Sequence, residues 1–264
     1  MDLDETTLDS NARLADRTRA AIHAVHEIGL PMIIATSRPE RVVPTLVGDD
    51  VLAITSMVQM NGTIATGRAG LTGSVKHEMD HADARLTWDL TTALEPSARM
   101  TMETDGVRFT VNHDDDIDAL WAFNTATPNM LLSFEDAIHA GPAKISVNGL
   151  GSNLEELALT LEDRLSENTV IFRAASEQFL NVVPRAASKS GATAELLTSA
   201  GTSLADVLSF GDDHVDIDLI RDCGWSVAVE NAIPEITAVA KYHTASNVDH
   251  GVAIVLEQLF AALS

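Results

Sequence analysis

The sequence predicts an α/β protein: a doubly wound, mostly parallel sheet carrying an inserted α+β module. Three observations predict it. Near the start of the chain, short apolar runs end in polar loops and alternate with helical patterns. The same rhythm returns after about residue 189. Between them, strands and helices follow one another without that rhythm.

Taken in order, residues 10–28 place Ala20, Ala21, Val25 and Ile28 at helical spacing, with Gly29 as a stop. Residues 30–35 are an apolar run bounded by Thr36-Ser37-Arg38-Pro39, which fits a buried strand and a loop. Pro39 suits a first helical turn, so a helix of about two turns is expected through Val47. Residues 51–54 and 58–60 are strand candidates, and Asn61-Gly62 signals a turn. In the middle, residues 98–112 and 143–148 read as strands. Residues 153–166, with Leu154, Leu157, Leu159, Leu161 and Leu165, read as a helix. Residues 191–200 are then helical and 207–210 form a strand that ends in Gly211-Asp212-Asp213-His214-Val215-Asp216. A helix to about Cys223, a strand over 225–229 and helices over 233–240 and 250–263 complete the chain. The core domain is therefore expected over 1–64 and 183–264, with the insert over 65–182.

Composition narrows the function. Hydrophobic residues make up 45% and charged residues 21% of 264, as in a soluble protein with a sizeable core. Cys223 is the single cysteine, so no internal disulfide is expected; it reads as a small buried residue. No segment reads as a signal peptide or a membrane span, which makes a cytoplasmic location the expectation. The net charge of −22 repels nucleic acid and anionic membrane, so neither is an expected partner. Any phosphate site must then be locally positive, built from a metal ion, basic side chains and helix N-termini.

Doubly wound sheets bind ligands at the carboxyl ends of their strands. Asp2 and Asp4 would lie there if a strand ends at Met1-Asp2-Leu3-Asp4-Glu5-Thr6, both on one side because strand side chains alternate. One such carboxylate can attack phosphorus while the other handles the proton, beside Mg²⁺. Thr36 and Ser37 could cap a helix or hydrogen-bond a phosphate. Lys189, ahead of a helix, is either solvated or offsets phosphate charge. Asp212 and Asp216 follow another strand; Asp216 alone would read as a helix cap. Carboxylates converging at one sheet edge repel unless a divalent cation joins them.

Four stretches, in order, carry a resemblance. Asp2-Leu-Asp-Glu-Thr6 fits Asp-x-Asp-x-Thr, and Ala35-Thr-Ser-Arg38 is similar to Ala-Thr-Gly-Arg. Ser188-Lys189 is similar to Ser-Lys-Gly, and Gly211–Asp216 to Gly-Asp-x-x-Asn-Asp. Met60-Asn-Gly62, Ala228-Val-Glu-Asn-Ala232 and Ser246-Asn-Val-Asp-His-Gly-Val252 add to the set. The chain resembles the haloacid dehalogenase (HAD) superfamily, specifically Cof-type phosphatases with a large α/β cap. The resemblance implies a HAD-like core with an inserted cap that closes over the site. It implies a Mg²⁺-dependent phosphomonoesterase for small phosphorylated metabolites such as sugar phosphates. Asp2 would be the nucleophile and Asp4 the acid and base. Asp2, Asp4 (through its backbone carbonyl), Asp212 and Asp216 would hold Mg²⁺. Thr36, Ser37 and Lys189 would bind phosphate, with Thr6, Arg38 and Asn231 in support.

The sequence also departs from the pattern. Only Met1 precedes Asp2 where the family carries an apolar strand, so either a start upstream or a frayed first strand is expected. Glu5 stands where glycine is usual, adding charge near the site. Val215 replaces asparagine and can make no side-chain hydrogen bond. These changes leave open a second class: a non-catalytic member that binds a phosphorylated metabolite or a protein partner. A third reading is a zinc protease at His77-Glu78-Met79-Asp80-His81, which requires both histidines on one helical face. His113-Asp-Asp-Asp116 is a further cation candidate, although a solvated loop is the simpler reading.

Overall fold

The computed structural model describes residues 1–113, 126–173 and 178–264. In chain order its elements begin with α1 (Asp16–Glu27), β1 (Met32–Ala35), α2 (Val43–Val47), α3 (Asp49–Ala53), β2 (Thr55–Gln59), β3 (Ile64–Thr66) and β4 (Ser74–Lys76). There follow α4 (His81–Leu94), β5 (Arg99–Glu103), β6 (Phe109–Val111), α5 (Phe134–His139), β7 (Lys144–Asn148), α6 (Glu155–Arg164), β8 (Thr169–Arg173) and β9 (Phe179–Pro184). The chain ends with α7 (Lys189–Thr198), β10 (Leu208–Gly211), α8 (Ile217–Asp222), β11 (Trp225–Ala228), α9 (Pro234–Val239), β12 (Tyr242–His243) and α10 (Gly251–Leu263). Among the described residues, no helix is long and apolar enough to cross a membrane.

Two compact units result: Met1–Val75 with Ser188–Ser264, and Lys76–Ala187. In the first, β1 and β2 run parallel, from Met32 beside Thr55 to Ala35 beside Val58. The hairpin β2–β3 adds an antiparallel strand, so residues 65–75, read from sequence as insert, stay with this unit. A second parallel sheet has the order β10-β11-β12. Ala35, Val58, Ala65, Leu196, Leu219 and Cys223 share one core cluster of this unit.

The first residues join the two sheets. Met1 N donates to Ile33 O (2.9 Å), Ala35 N to Met1 O (2.9 Å) and Asp2 N to Phe210 O (3.1 Å). This is a parallel ladder one or two residues long, and residues 1–3 form no strand of their own. The expectation that Asp2 and Asp4 share a strand face is corrected here. The chain turns at Leu3, whose carbonyl accepts from Thr7 N (3.0 Å) and Leu8 N (2.9 Å), and this turn separates the two carboxylates.

Other expectations shift for local reasons. The first helix starts at Asp16, not near residue 10, because Asp9 Oδ1 accepts from the N–H groups of Asn11 and Arg13 and holds a loop. Residues 51–54 are mostly helical, in α3, rather than a strand. Gly48, at φ 84°, ends α2, and Asp49 and Asp50 favour a new helix start. Residues 98–112 form a hairpin instead of one strand. Asp105 Oδ1 accepts from Val107 N and Arg108 N while Gly106 takes φ 83°.

The second unit is built on a five-stranded antiparallel sheet of order β6-β5-β7-β9-β8. Met100 and Met102, Ile145 and Val147, and Leu180 and Val182 occupy alternate strand positions and pack with Leu157 and Leu161 of α6. The zinc-protease reading fails here. Helix α4 begins only at His81, capped by Asp80 on Ala82 N (2.9 Å), so His77 lies off the helix. In the other cation candidate, residues 114–116 lie outside the described residues.

Asp83 pins α4 to the α6–β8 turn. Its buried carboxylate accepts from Ser166 N (3.1 Å), Ser166 Oγ (2.6 Å) and Thr169 Oγ1 (2.5 Å). Burial pushes this carboxyl upward, but the Ser166 and Thr169 hydrogen bonds outweigh it and hold it below its usual value. Such stabilisation is present above the unfolded carboxyl pKa and is lost as pH falls through the folded one. Asp83→Ala is therefore expected to cost about 2 kcal/mol at pH 7. The cost should shrink in acid below pH 4, as urea unfolding at both pH values would measure.

Candidate active site

The site grows from three chain segments of the first unit. Helix α7 supplies Lys189 from its first position. Ser188 caps that helix, its Oγ accepting from Gly191 N (2.7 Å). The Asn61-Gly62 turn supports this start from behind. A Cβ on Gly62 would lie 2.1 Å from Ser188 O, and the backbone there has φ 91°, so only glycine lets the two segments meet. Lys189 is thereby driven into the interior, where its side chain is 0% exposed. Its Nζ donates to Asp2 Oδ1 (2.6 Å) and Asp216 Oδ1 (2.6 Å).

Strand β10 ends at Gly211 and delivers Asp212 and Asp216 through a short turn. Asp216 is fully buried and faces inward, its Oδ2 accepting from Asp212 N (3.2 Å) and Asp213 N (3.4 Å). A Cβ on Gly211 would lie 2.6 Å from the Asp216 Cβ, so the close pass again requires glycine. Thr6 Oγ1 donates to Asp212 Oδ1, and Thr7 Oγ1 closes the N-terminal turn on Asp2 O. Asp2, Asp212 and Asp216 bring carboxylate oxygens within 4.8 Å of one another.

The remaining candidates lie around this cluster. Asp4 turns away from it, partly exposed, and is gripped by Arg38 through Nε (2.8 and 3.0 Å) and Nη2 (2.6 Å). Thr36 is buried at the end of β1, its Oγ1 accepting from Arg38 N (3.2 Å), and Ser37 beside it is half-buried. Asn231 stays outside the carboxylate group. Its Nδ2 donates to Glu5 O (2.7 Å) and its Oδ1 accepts from Asn247 N (3.0 Å). Asn247, not singled out individually from the sequence, bonds Leu8 O (2.9 Å) and Glu5 Oε2 (3.2 Å) through Nδ2. Its signal was the soft Ser246–Val252 match. Glu5 adopts φ 53°, the left-handed region that glycine enters freely, and these two asparagines hold it there. Its carboxylate thus faces Asn247 rather than the acidic cluster. Val215 sits in the one-turn helix His214–Asp216 and leaves Asp216 itself to bond the turn.

Electrostatics set the character of the cluster. Burial pushes the Asp2 carboxyl well above its usual value, against the pull of Lys189, and Asp216 and Asp212 add to the rise. Asp212 is raised to about 7, first by burial, with Asp216 adding and the Thr6 hydrogen bond opposing. Burial alone would lower the Lys189 ammonium, but Asp2 and Asp216 hold it above its usual value. With all groups ionised, three carboxylates face one ammonium, 3 − 1, leaving two negative charges in excess. An all-oxygen, carboxylate-rich donor set of that charge fits a hard divalent cation such as Mg²⁺. Asp2, Asp212 and Asp216 are the residues whose side chains would hold it.

Comparison with known proteins gives the geometry a setting. The haloacid dehalogenase-like hydrolase family matches residues 1–256. The chain belongs to that family. YxeH of Bacillus subtilis is 27% identical to it over 277 residues, covering 99% of this chain and 97% of that protein. An HMP-PP phosphatase of Yersinia pseudotuberculosis is 25% identical over 240 residues, covering 89% and 84%. The solved HAD subclass IIB sugar phosphatase BT4131 superposes with a TM-score of 0.79 at 20% identity, over 98% of this chain and 96% of that one. This likeness shows the HAD-like α/β fold.

The raised Asp212 carboxyl gives a signed expectation. A carboxyl raised on folding leaves its stabilisation intact below the unfolded pKa and loses it as pH rises through the folded one. Metal-free Asp212→Asn should therefore gain stability relative to the parent between pH 4 and 8. Thermal unfolding in EDTA across that range checks it. A variant advantage that stays flat with pH would contradict the assignment.

Proposed function

We propose that this protein is a Mg²⁺-dependent phosphomonoesterase that hydrolyses small phosphorylated metabolites, sugar phosphates among them, through an aspartyl-phosphate at Asp2. One observation carries the reading: Asp2 is clamped by the buried Lys189 ammonium beside Asp212 and Asp216. Family membership and the activities named for the Yersinia phosphatase and BT4131 support the substrate class. The bound metal would supply charge neutralisation between nucleophile and phosphate and would orient them for in-line displacement.

This chain's own residues account for the remaining steps. Lys189 holds one Asp2 oxygen, favouring the anionic form against the effect of burial and fixing its rotamer. Two of the three N–H donors of Lys189 go to Asp2 and Asp216, which leaves one to direct at a phosphoryl oxygen. Thr36 and Ser37 line the end of β1 as further phosphoryl contacts. A carboxylate oxygen of Asp2 attacks phosphorus while the ester P–O bond breaks. Asp4 gives its proton to the departing oxygen. In the second half Asp4 takes a proton from water, the resulting hydroxide attacks the aspartyl-phosphate, and Asp2 leaves as carboxylate with inorganic phosphate. Arg38 grips Asp4 in this structure, so it orients that carboxylate between the two halves. The insert, Lys76–Ala187, is the part proposed to select the leaving group and exclude water.

The test is hydrolysis of p-nitrophenyl phosphate. Turnover should require Mg²⁺, vanish in EDTA and return on adding the metal back. Asp2→Asn should lower kcat at least about 1,000-fold. Asp4→Asn should lower it strongly while still permitting some phosphorylation of Asp2, visible by intact mass. Metal-independent turnover, or full activity in Asp2→Asn, would overturn the reading.

A further inference from the structure

The turn after β2 buries an amide that the fold itself does not use. Asn61 is 3% exposed, and among the described residues neither its Oδ1 nor its Nδ2 has a hydrogen-bond partner. Burying a donor and an acceptor unpaired is costly, and native proteins rarely do so without a functional reason. The backbone does not require this side chain. Met60, Asn61 and Gly62 take φ 50°, 60° and 91° in succession. Glycine enters that region at least as easily as asparagine and would bury no orphaned amide. Two bonds hold the strained turn: Met60 N donates to Arg38 O (3.2 Å) and Asn61 N to Thr36 O (3.1 Å). Backbone strain of this kind gathers at functional sites.

The position narrows the role. The bond to Thr36 sets Asn61 beside the loop that carries Thr36 and Ser37, and the next residue, Gly62, meets Ser188 at the start of α7. Asn61 therefore stands where the segments that supply Thr36, Ser37 and Lys189 come together. The Lys189 ammonium can only donate, whereas a neutral amide offers donors and an acceptor side by side. Inorganic phosphate matches that pair, because near neutral pH it carries at least one proton.

We infer that Asn61 is a further phosphate-binding residue, its Nδ2 donating to one phosphoryl oxygen and its Oδ1 accepting from a protonated one. The inference rests on the phosphatase reading, in which Thr36, Ser37 and Lys189 bind the phosphoryl group. This two-point pairing lets the site tell anions apart. Sulfate has the size and shape of phosphate but no proton near neutral pH, so it leaves Oδ1 without a donor. A buried acceptor left unpaired discriminates strongly against the ligand that strands it. An aspartate of the same shape would lose the N–H donors and add a negative charge.

The experiment loads the full chain with Mg²⁺ and titrates inorganic phosphate or sulfate at pH 7 by calorimetry. The parent should prefer phosphate. Asn61→Gly, which suits the left-handed turn, should weaken phosphate at least about 30-fold and cut the preference over sulfate about tenfold. Asn61→Asp should weaken phosphate further. Without either anion, Asn61→Gly should unfold at or above the parent's temperature, because it removes an unpaired buried amide. Equal weakening of both anions, undiminished phosphate binding, or an anion-free Tm more than about 5 °C below the parent's would overturn the inference. A parent that hydrolyses p-nitrophenyl phosphate while its phosphate affinity ignores position 61 keeps the phosphatase reading and loses this one. A parent that binds phosphate through Asn61 yet turns nothing over does the reverse.

Discussion

Everything in the first unit turns on the Lys189 ammonium lying between Asp2 and Asp216. A buried ammonium is tolerated only when it is paired and hydrogen-bonded, and so is each buried carboxylate. The clamp therefore ties the chain's first residues, the start of α7 and the turn after β10 into one object. Neither partner can leave without stranding a charge in the interior. Two glycines make this geometry possible by removing a Cβ: Gly62 where the chain touches Ser188, and Gly211 where it passes Asp216. The same clamp leaves the cluster short of positive charge, so the feature that orders Asp2 also creates the demand for a cation.

Around this buried centre lies a shell of hydrogen bonds that works on the backbone. Asn231 and Asn247 hold the Glu5 carbonyl and carboxylate, and Thr6 and Thr7 close the turn onto Asp212 and Asp2. That shell lets a residue with a Cβ occupy the left-handed conformation at position 5. Glu5 is thus accommodated by rerouting its charge toward an amide, away from the carboxylates. Arg38 does the corresponding work on the other rim, taking Asp4 into a bidentate pair.

The α/β rhythm was legible because buried strands and helix stops leave short-range marks: the apolar run ahead of Thr36, and Gly211 at the end of β10. The four motif stretches were legible as residue types, and the structure brings Asp2, Lys189, Asp212 and Asp216 together. What the sequence could not carry was anything decided by contacts between distant segments. The spacing of Asp2 and Asp4 suggested a shared face, but the turn at Leu3 sends them to different partners. Residues 51–54 look like a strand by composition, and only the break at Gly48 makes them helical. Asn247 looks like any polar loop residue until the first turn of the chain packs against it. The histidine pair at 77 and 81 has helical spacing, yet the helix starts at its second member.

The clamp also has a consequence for the order in which the molecule is made. Asp2 leaves the ribosome well ahead of Lys189, which follows 187 positions later. Until then the aspartate has no buried partner and remains hydrated, while the second unit, with all its sheet pairings internal, can collapse on its own. The Lys189–Asp2 contact closes a loop of 187 positions that contains the whole insert, so the centre assembles late in folding. Nascent chains that stop short of α7 carry Asp2 without the lysine that organises it, so they carry no assembled carboxylate cluster. Assembly of the cluster is thereby deferred until both α7 and the turn after β10 have been synthesised.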